Sequence, residues 1–308
     1  MTILIAGCGY LGKAVARQLL AGGHRVVGLT RSEDTAAALT AEGIEGYAGD
    51  IAEPGFARSL PSAAVVVHCA SSGRGGGPSQ YRRVYVDGLR ALVEAHPEAH
   101  CIFTSSSSVY GQIDGSWVTE ESVAEPDRET GRLLLQAEGV ALAAGGTVMR
   151  LAGIYGPGRS VLLKNFLMGE AQIDLRVEPP ATPDGRWINQ IHRRDAAAAL
   201  VWMMDARLPG VFNVADHTPV TQRMVYTELA RRFGRPLPPE RAPALDRKRG
   251  WTHKRVGSQK LTAAGWMPQF PSWFDALDHD PGLVPSIMAQ IHTEAADAPE
   301  PDRSAGGS

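Results

Sequence analysis

Three glycines near the start of the chain have the spacing of a phosphate-binding turn. Gly7, Gly9 and Gly12 form G-x-G-x-x-G directly after the apolar run 2–6 and before a helical pattern. In such a turn the first glycine permits a tight bend, the second lets a pyrophosphate approach the backbone, and the third lets the helix pack closely. Unpaired N–H groups at the positive end of the helix then hold the phosphates. Because it lies between a predicted strand and a predicted helix, the pattern predicts a dinucleotide site that includes Tyr10 and Leu11.

The residues after the second predicted strand indicate which dinucleotide binds. Thr30, Arg31 and Ser32 follow the strand 24–29, and the first carboxylates come only at Glu33 and Asp34. An acidic residue at this point suits the free ribose of NAD, whereas an arginine suits a 2′-phosphate. A guanidinium pairs with phosphate through two parallel hydrogen bonds, and a hydroxyl can add another. We therefore predict NADP(H) in preference to NAD(H); the alternative is that Arg31 is a solvated loop residue.

Strands and helices must alternate to position these groups, and the sequence has that rhythm. Apolar runs at 2–6, 24–29, 46–48, 63–69, 101–104 and 147–151 are separated by helical patterns at 13–21, 32–42, 79–95 and 128–144. This alternation is typical of an α/β fold with a doubly wound parallel Rossmann sheet. We predict an NADP-binding core over 1–153 and, over 154–292, mostly a smaller C-terminal substrate lobe with elements that return to the core. Residues 293–308 have almost nothing to bury and are predicted to be disordered.

Composition narrows the function classes. The chain has 308 residues, 44% of them hydrophobic and 21% charged, with a net charge of −2. This balance is that of a soluble globular protein and gives no reason to expect nucleic acid as a partner. We expect no membrane partner either, because no apolar run is long enough to span a bilayer and no basic leader precedes the first strand. Cys8, Cys69 and Cys101 lack metal-ligand spacing, so we predict reduced thiols, no metal and a cytoplasmic location.

Four ordered motifs resemble those of the extended short-chain dehydrogenase/reductases, the nucleotide-sugar epimerase/dehydratase group. Besides the glycine turn with Asp50 and Ile51, they lie at 103–111, 150–159 and 191–197, and the resemblance extends to about Leu277. It implies a dinucleotide across the carboxyl edge of the sheet, a small-molecule substrate between core and lobe, and a homodimer formed through the helices 79–95 and 128–144. Carried over by position, it implies that Asp50 and Ile51 flank the adenine. It further implies that the cofactor lies along Cys69, Ala70 and Ser71, and that Ser106 hydrogen-bonds the reacting oxygen.

One departure from the family pattern concerns catalysis. The family places a tyrosine, and four residues later a lysine, on the helix after the serine motif; the tyrosine transfers a proton and the lysine lowers its pKa. In this chain the matching positions are Thr130 and Leu134, and Tyr-x-x-x-Lys occurs nowhere in the sequence. A threonine hydroxyl does not ionise near neutral pH, and leucine supplies no charge to tune it. The chain thereby resembles the atypical, YeeZ-like branch, which keeps the fold without the pair.

Any remaining chemistry requires another proton carrier. The predicted catalytic residues are Ser106, Thr130 at the tyrosine position, and Tyr155, which follows a strand and could reach the ligand edge. A structural role for Tyr155 is an equally open alternative. For Tyr110 and His192 we favour a structural role, and His68 is predicted to be a core histidine.

The lobe carries residues that fit a polar or anionic substrate. Where relatives contact substrate, this chain has Ser107, Arg159, Lys164, Arg186, Trp187, Asn189 and Arg255. We hypothesise that Arg159 and Arg255 bind substrate anions. The leading functional hypothesis is an NADP(H)-dependent oxidoreductase or epimerase-like enzyme acting on a small polar metabolite. The alternatives are a non-catalytic NADP(H)-binding sensor or scaffold, and a redox-neutral isomerase or lyase that retains the nucleotide.

Overall fold

The computed structural model describes residues 1–73, 76–177, 181–243 and 251–296. The strands, in chain order, are β1 (Thr2–Ala6), β2 (Arg25–Thr30), β3 (Glu45–Ala48), β4 (Val65–His68), β5 (His100–Ser106), β6 (Trp117–Val118), β7 (Thr147–Leu151), β8 (Gly153–Tyr155), β9 (Ile173–Asp174), β10 (Trp187–Ile188), β11 (Gln190–His192), β12 (Gly210–Val214), β13 (Val220–Thr221), β14 (Glu240–Arg241) and β15 (Arg255–Val256).

The helices, in chain order, are α1 (Gly12–Ala21), α2 (Glu33–Ala41), α3 (Pro54–Ser59), α4 (Pro78–Tyr81), α5 (Gly88–Ala95), α6 (Glu129–Ala143), α7 (Val161–Met168), α8 (Arg193–Ala206), α9 (Gln222–Phe233), α10 (Gln259–Ala263), α11 (Trp273–His279) and α12 (Leu283–Ala296). A π-helical segment, Arg82–Asp87, joins α4 to α5, and a 3₁₀ turn, Ser107–Val109, follows β5.

The central sheet has seven parallel strands in the order β3-β2-β1-β4-β5-β7-β12. Alternate residues of a strand face opposite sides of a sheet, and β1 shows the result: Ile3 and Ile5 belong to one apolar core, Leu4 and Ala6 to another. Both faces are therefore covered, which confirms the predicted doubly wound α/β fold. The strand order reverses between β1 and β4, so a crevice for a ligand opens at the carboxyl ends of these two strands.

The C-terminal half builds a second apolar core beside the first. Leu163 and Phe166 of α7, Leu229 of α9 and Trp273 of α11 are buried together in it. Four two-stranded sheets lie in this region or join it to the core, namely β8 with β11, β9 with β14, β10 with β13, and β6 with β15. One strand of this half, β12, is instead the edge strand of the central sheet.

Three details differ from the sequence prediction. The helix predicted over 79–95 has a π-helical middle. Strand β12 was not predicted, although Gly-Val-Phe-Asn-Val carries apolar residues at alternate positions. The predicted tail 293–308 overlaps the end of α12, and its residues from 297 onward lie outside the described residues.

No described helix is both long enough and apolar enough to cross a membrane. No cluster of three or more His, Cys, Asp or Glu side chains in the described part of the chain is placed to hold a metal ion.

Candidate active site

The glycine turn after β1 has the geometry that phosphate binding requires. Gly7 has φ +95°, and a Cβ there would lie 2.3 Å from the Cα of Ala70. A Cβ on Gly12 would lie 2.3 Å from the carbonyl oxygen of Gly7, so this glycine lets α1 start close to the turn. A Cβ on Gly9 would meet nothing within 4 Å. The turn is thus crowded on its protein side and open at Gly9, where a diphosphate could approach the first amides of α1.

The two residues between Gly9 and Gly12 contribute differently. Leu11 is buried in the core, so only its backbone can face a ligand. The ring of Tyr10 lies between two guanidinium groups, with Arg193 at 4.4 Å and Arg159 at 5.3 Å from its centroid. Its hydroxyl donates to the carbonyl of Pro157 at 3.1 Å. The side chain of Tyr10 therefore links the phosphate turn to the lobe.

A cation, Arg31, follows the end of β2, and the next carboxylates along the chain are Glu33 and Asp34. Arg31 is exposed and lies near Gly73, in the loop after β4: a Cβ on Gly73 would be 3.9 Å from its Nη2. The Ser32 hydroxyl caps α2 by accepting from the amide of Thr35 at 3.4 Å. Glu33 and Asp34 belong to the first turn of α2, beyond the strand end. Arg31 is thus placed to receive a phosphate, while Ser32 is already engaged in the helix cap.

The other predicted cofactor residues follow β3 and β4. Asp50 pairs with Arg83, whose Nε is 2.9 Å from the Asp50 Oδ2, and Ile51 is buried against Gly88 at the start of α5. The amide of Cys69 continues the β1–β4 ladder by donating to Ala6 at 2.7 Å, and Ser71 is exposed. The backbone that follows β4 therefore lies against the glycine turn.

Beyond the serine motif a pocket opens beside α6. Ser106 ends β5, and its Oγ accepts from the Ser108 amide at 3.2 Å, while Ser107 is buried. We call the cavity the α6 pocket; it is lined by Tyr81, Ser108, Gly111, Pro126, Asp127, Arg128, Thr130, Gly131, Leu134, Trp251 and Thr252. The two positions that the resemblance gives to tyrosine and lysine, Thr130 and Leu134, thus face the same pocket. The predicted substrate contact Ser107 does not line it.

The match to known proteins decides the family. Residues 3–215 match the family described as NAD dependent epimerase/dehydratase. The chain belongs to this family. Protein YeeZ of Escherichia coli K12 is 29% identical over 284 residues, which are 87% of this chain and 96% of YeeZ. A 3-diazoavenalumate denitrifying reductase of Streptomyces is 28% identical over 312 residues, covering 91% of this chain and 100% of the reductase.

Solved structures agree with this assignment. The structure of an NAD-dependent epimerase/dehydratase from Methylobacillus flagellatus superposes with a TM-score of 0.72 at 30% identity, covering 94% of this chain and 98% of the other. These relatives confirm the predicted superfamily and its YeeZ-like branch.

The prediction that Tyr155 could act as the proton donor is corrected by its burial. It is 1% exposed, in the second core, with its ring against His192 and Trp273. Its hydroxyl is 3.5 Å from the carbonyl oxygen of Ser272. Burial, together with the charge of nearby Asp216, raises the pKa of this phenol far above its ordinary value. A phenol that is buried in this way gives up its proton less readily. Tyr155 therefore packs within the lobe and does not act as a proton donor in the α6 pocket.

The residues for which a structural role was favoured have one. The Tyr110 hydroxyl accepts from Arg150 at 2.8 Å and donates to Asn213 at 2.9 Å. Arg150 in turn makes a buried ion pair with Glu138 of α6 at 2.7 Å. His192 lies 3.0 Å from the Asp280 carboxylate, and His68 bonds the carbonyl of Val84 at 3.0 Å.

Part of the predicted substrate set forms one cluster. The guanidinium of Arg255 lies between the rings of Trp117 and Trp187, at 5.1 and 5.2 Å, and its Nε donates to the Gly115 carbonyl at 2.9 Å. Asn189 donates to the carbonyl of Lys254 at 2.9 Å and accepts from the amide of Val256 at 2.8 Å. Both ends of the Asn189 amide make a hydrogen bond to the backbone around β15, so this side chain positions β15.

The other predicted cations make contacts outside this cluster. Lys164 pairs with Glu294 at 2.6 Å and joins α7 to α12 on the surface. Arg186 lies 3.2 Å from the buried Asp174. Arg159 lies over Tyr10 at the glycine turn. The structure therefore does not bring Arg159 and Arg255 together as a substrate clamp, and Lys164 and Arg186 are engaged in structural ion pairs.

Two groups at the candidate site were not predicted from the sequence. Arg193 reaches the glycine turn, and its place in the motif 191–197 was the available signal. Lys254 is 3% exposed, and its ammonium donates to the carbonyl of Tyr110 at 2.7 Å. Burial of a lysine in a loop leaves no periodic pattern in the sequence. The one available indication of Lys254 was its position next to Arg255, a predicted substrate contact.

Proposed function

We propose that this protein is an NADPH-dependent reductase of a small polar carbonyl compound that works without the tyrosine–lysine pair. The observation that carries the proposal is the open diphosphate approach at Gly9 combined with the exposed Arg31 at the end of β2. The family to which the chain belongs is described as NAD dependent, and one relative is named a reductase. These observations support the cofactor class and the direction of chemistry.

The residues around the α6 pocket are the groups that the protein would contribute to the proposed reduction. When bound, the reduced nicotinamide would supply a hydride. Ser106 at the end of β5 and Ser108 just after it would offer hydroxyl groups to a substrate oxygen, with Thr130 as a third on the α6 side. Ser108 and Thr130 line the α6 pocket, whereas Ser106 does not. Because Tyr155 is buried and Leu134 carries no charge, we assign the proton that completes the alcohol to water or to the substrate itself.

The test is NADPH oxidation with a panel of small ketones and aldehydes that includes butane-2,3-dione. We expect the wild type to consume NADPH in proportion to alcohol formed, and Ser106→Ala to lose most of kcat while binding NADPH normally. The matched control is Ser62→Ala, in the loop before β4 and away from the pocket. Full activity in Ser106→Ala would remove the assigned role of this serine.

A second function, sensing of the NADP(H) redox state, is favoured by one observation. The position of the proton-transferring tyrosine holds Thr130, and the predicted alternative proton donor, Tyr155, is buried. This function requires NADPH binding without turnover of any carbonyl in the panel, which is the opposite outcome of the same assay.

We also propose a homodimer through α5 and α6, two helices that lie next to each other within the chain. A solution mass near that of one chain would exclude it.

A further inference from the structure

Within the described ranges, a buried cation without a counter-ion lies behind the α6 pocket. In the described part of the chain, the Lys254 ammonium makes one hydrogen bond, to the carbonyl oxygen of Tyr110 at 2.7 Å, and no carboxylate lies within ion-pair distance. Asn189 fixes the Lys254 backbone from the lobe side. Buried charges are ordinarily paired, because desolvation without compensation is costly. A lysine held in this way indicates a use for its charge.

The peptide that accepts this hydrogen bond leads directly to the pocket. In a trans peptide the C=O and N–H point to opposite sides, so when the Tyr110 carbonyl faces Lys254, the Gly111 amide faces away from it. Gly111 lines the α6 pocket, and its amide has no hydrogen-bond acceptor among the described residues. The indole Nε1 of Trp251, a residue that also lines the pocket, is buried and lacks a partner within the described ranges. Two unfilled donors therefore border one pocket.

We propose that Lys254 is a positioning residue for the reduction: it holds and polarises the Tyr110–Gly111 peptide so that the Gly111 amide binds the substrate oxygen as negative charge develops. This inference rests on the proposed function. A cation on the carbonyl side of a peptide strengthens the N–H on the other side as a donor. Preorganised donors of this kind stabilise the charge of a transition state. Lys254 thereby supplies, from the lobe, positive charge that Leu134 does not supply from α6.

The surroundings of Lys254 make its charge sensitive to pH. Burial, and to a smaller degree the charge of Arg186, lowers its pKa to about 7. The other ionisable groups nearby are engaged elsewhere: His253 with the Trp187 amide, Arg255 with Gly115, and Glu120 with the Asn213 amide. The ammonium is present below this pKa and lost above it. Reduction should therefore slow as the pH rises through about 7.

The experiment compares Lys254→Met and Lys254→Arg with the wild type, using NADPH and butane-2,3-dione. Lys254→Met keeps the Gly111 amide, so we expect kcat to fall by less than the roughly 10²- to 10³-fold seen when an oxyanion donor itself is removed, with unchanged NADPH affinity. Lys254→Arg keeps its charge at all pH values, so it should retain activity and lose the decline above pH 7. Lys260→Met is the matched control, since Lys260 also donates to a main-chain carbonyl, that of Val211 at 2.7 Å, and should leave kcat unchanged.

The outcomes separate this inference from the function on which it rests. An active wild type with equal kcat in Lys254→Met would overturn the role of Lys254 and leave the reductase standing. A wild type that reduces no carbonyl of the panel would remove both. If Lys254→Met does not fold, the pH profile decides: a decline retained in Lys254→Arg contradicts the proposal, and its disappearance supports it.

Discussion

At the residue scale, the proposed choice of NADP(H) over NAD(H) rests on one side chain, Arg31. Arg31 is exposed at the end of β2, close to the loop after β4, and no carboxylate precedes Glu33. The sequence already predicted this arrangement, because strand ends in a Rossmann sheet are read from the run of apolar residues before them. The role of a buried side chain was harder to predict. Tyr155 and Tyr110 both follow strands, and only the packing shows that both are buried.

Replacement of Arg31 by alanine should remove the preference for NADPH. Without the guanidinium the 2′-phosphate loses a bidentate partner, so we expect the NADPH Kd to rise about tenfold or more, equivalent to about 1.4 kcal/mol. NADH lacks that phosphate, and its Kd should not change. Titration calorimetry with both nucleotides measures this, with the exposed Arg58→Ala of α3 as control. Equal losses for the two nucleotides would show that Arg31 does not read the 2′-phosphate.

At the element scale, the alternation of strands and helices was predictable and the lobe was not. Continuous apolar runs mark parallel strands that are covered on both faces, and all six predicted strands lie within two residues of the observed ones at both ends. The two-residue strands of the lobe carry no periodicity and form only because distant segments meet, as β6 meets β15. For the same reason the route by which Lys254 reaches Tyr110, 144 positions away, was not predictable.

The contact between β4 and the π-helical segment should make stability depend on pH. His68 of β4 is fully buried and bonds Val84 in that segment, and burial lowers its pKa to about 4. The unfolded histidine has a pKa of about 6.5, so the contribution is complete above that value and is lost as the pH falls towards about 4. As the pH falls from 7 to 4.5, we expect protonation of His68 to lower the free energy of unfolding by roughly 2–3 kcal/mol.

Urea unfolding at the two pH values checks this expectation. His68→Gln keeps a donor for the Val84 carbonyl and does not titrate, so its loss of stability at low pH should be smaller than that of the wild type by this amount. His279→Gln, at the exposed end of α11, serves as control. The same pH dependence in His68→Gln and the wild type would contradict the assignment.

At the scale of the whole molecule, the site is completed where core and lobe meet. Arg159 and Arg193 reach Tyr10 of the glycine turn, and Lys254 reaches the turn after β5. The sequence motifs predicted the core side of this junction, since the glycine turn and the serine motif are local patterns. The lobe side depends on contacts between residues more than a hundred positions apart, which a single sequence does not reveal.

The most direct test of the central claim is titration of the wild type and of Gly9→Ala with NADPH. A Cβ at Gly9 meets no protein atom within 4 Å, so the variant should fold with an unchanged Tm. That Cβ stands where a diphosphate must approach the backbone, so we expect the wild type to bind NADPH and Gly9→Ala to bind it at least about tenfold more weakly. Equal affinity in the two proteins, or no NADPH binding by the wild type, would contradict the claim that this turn holds a dinucleotide.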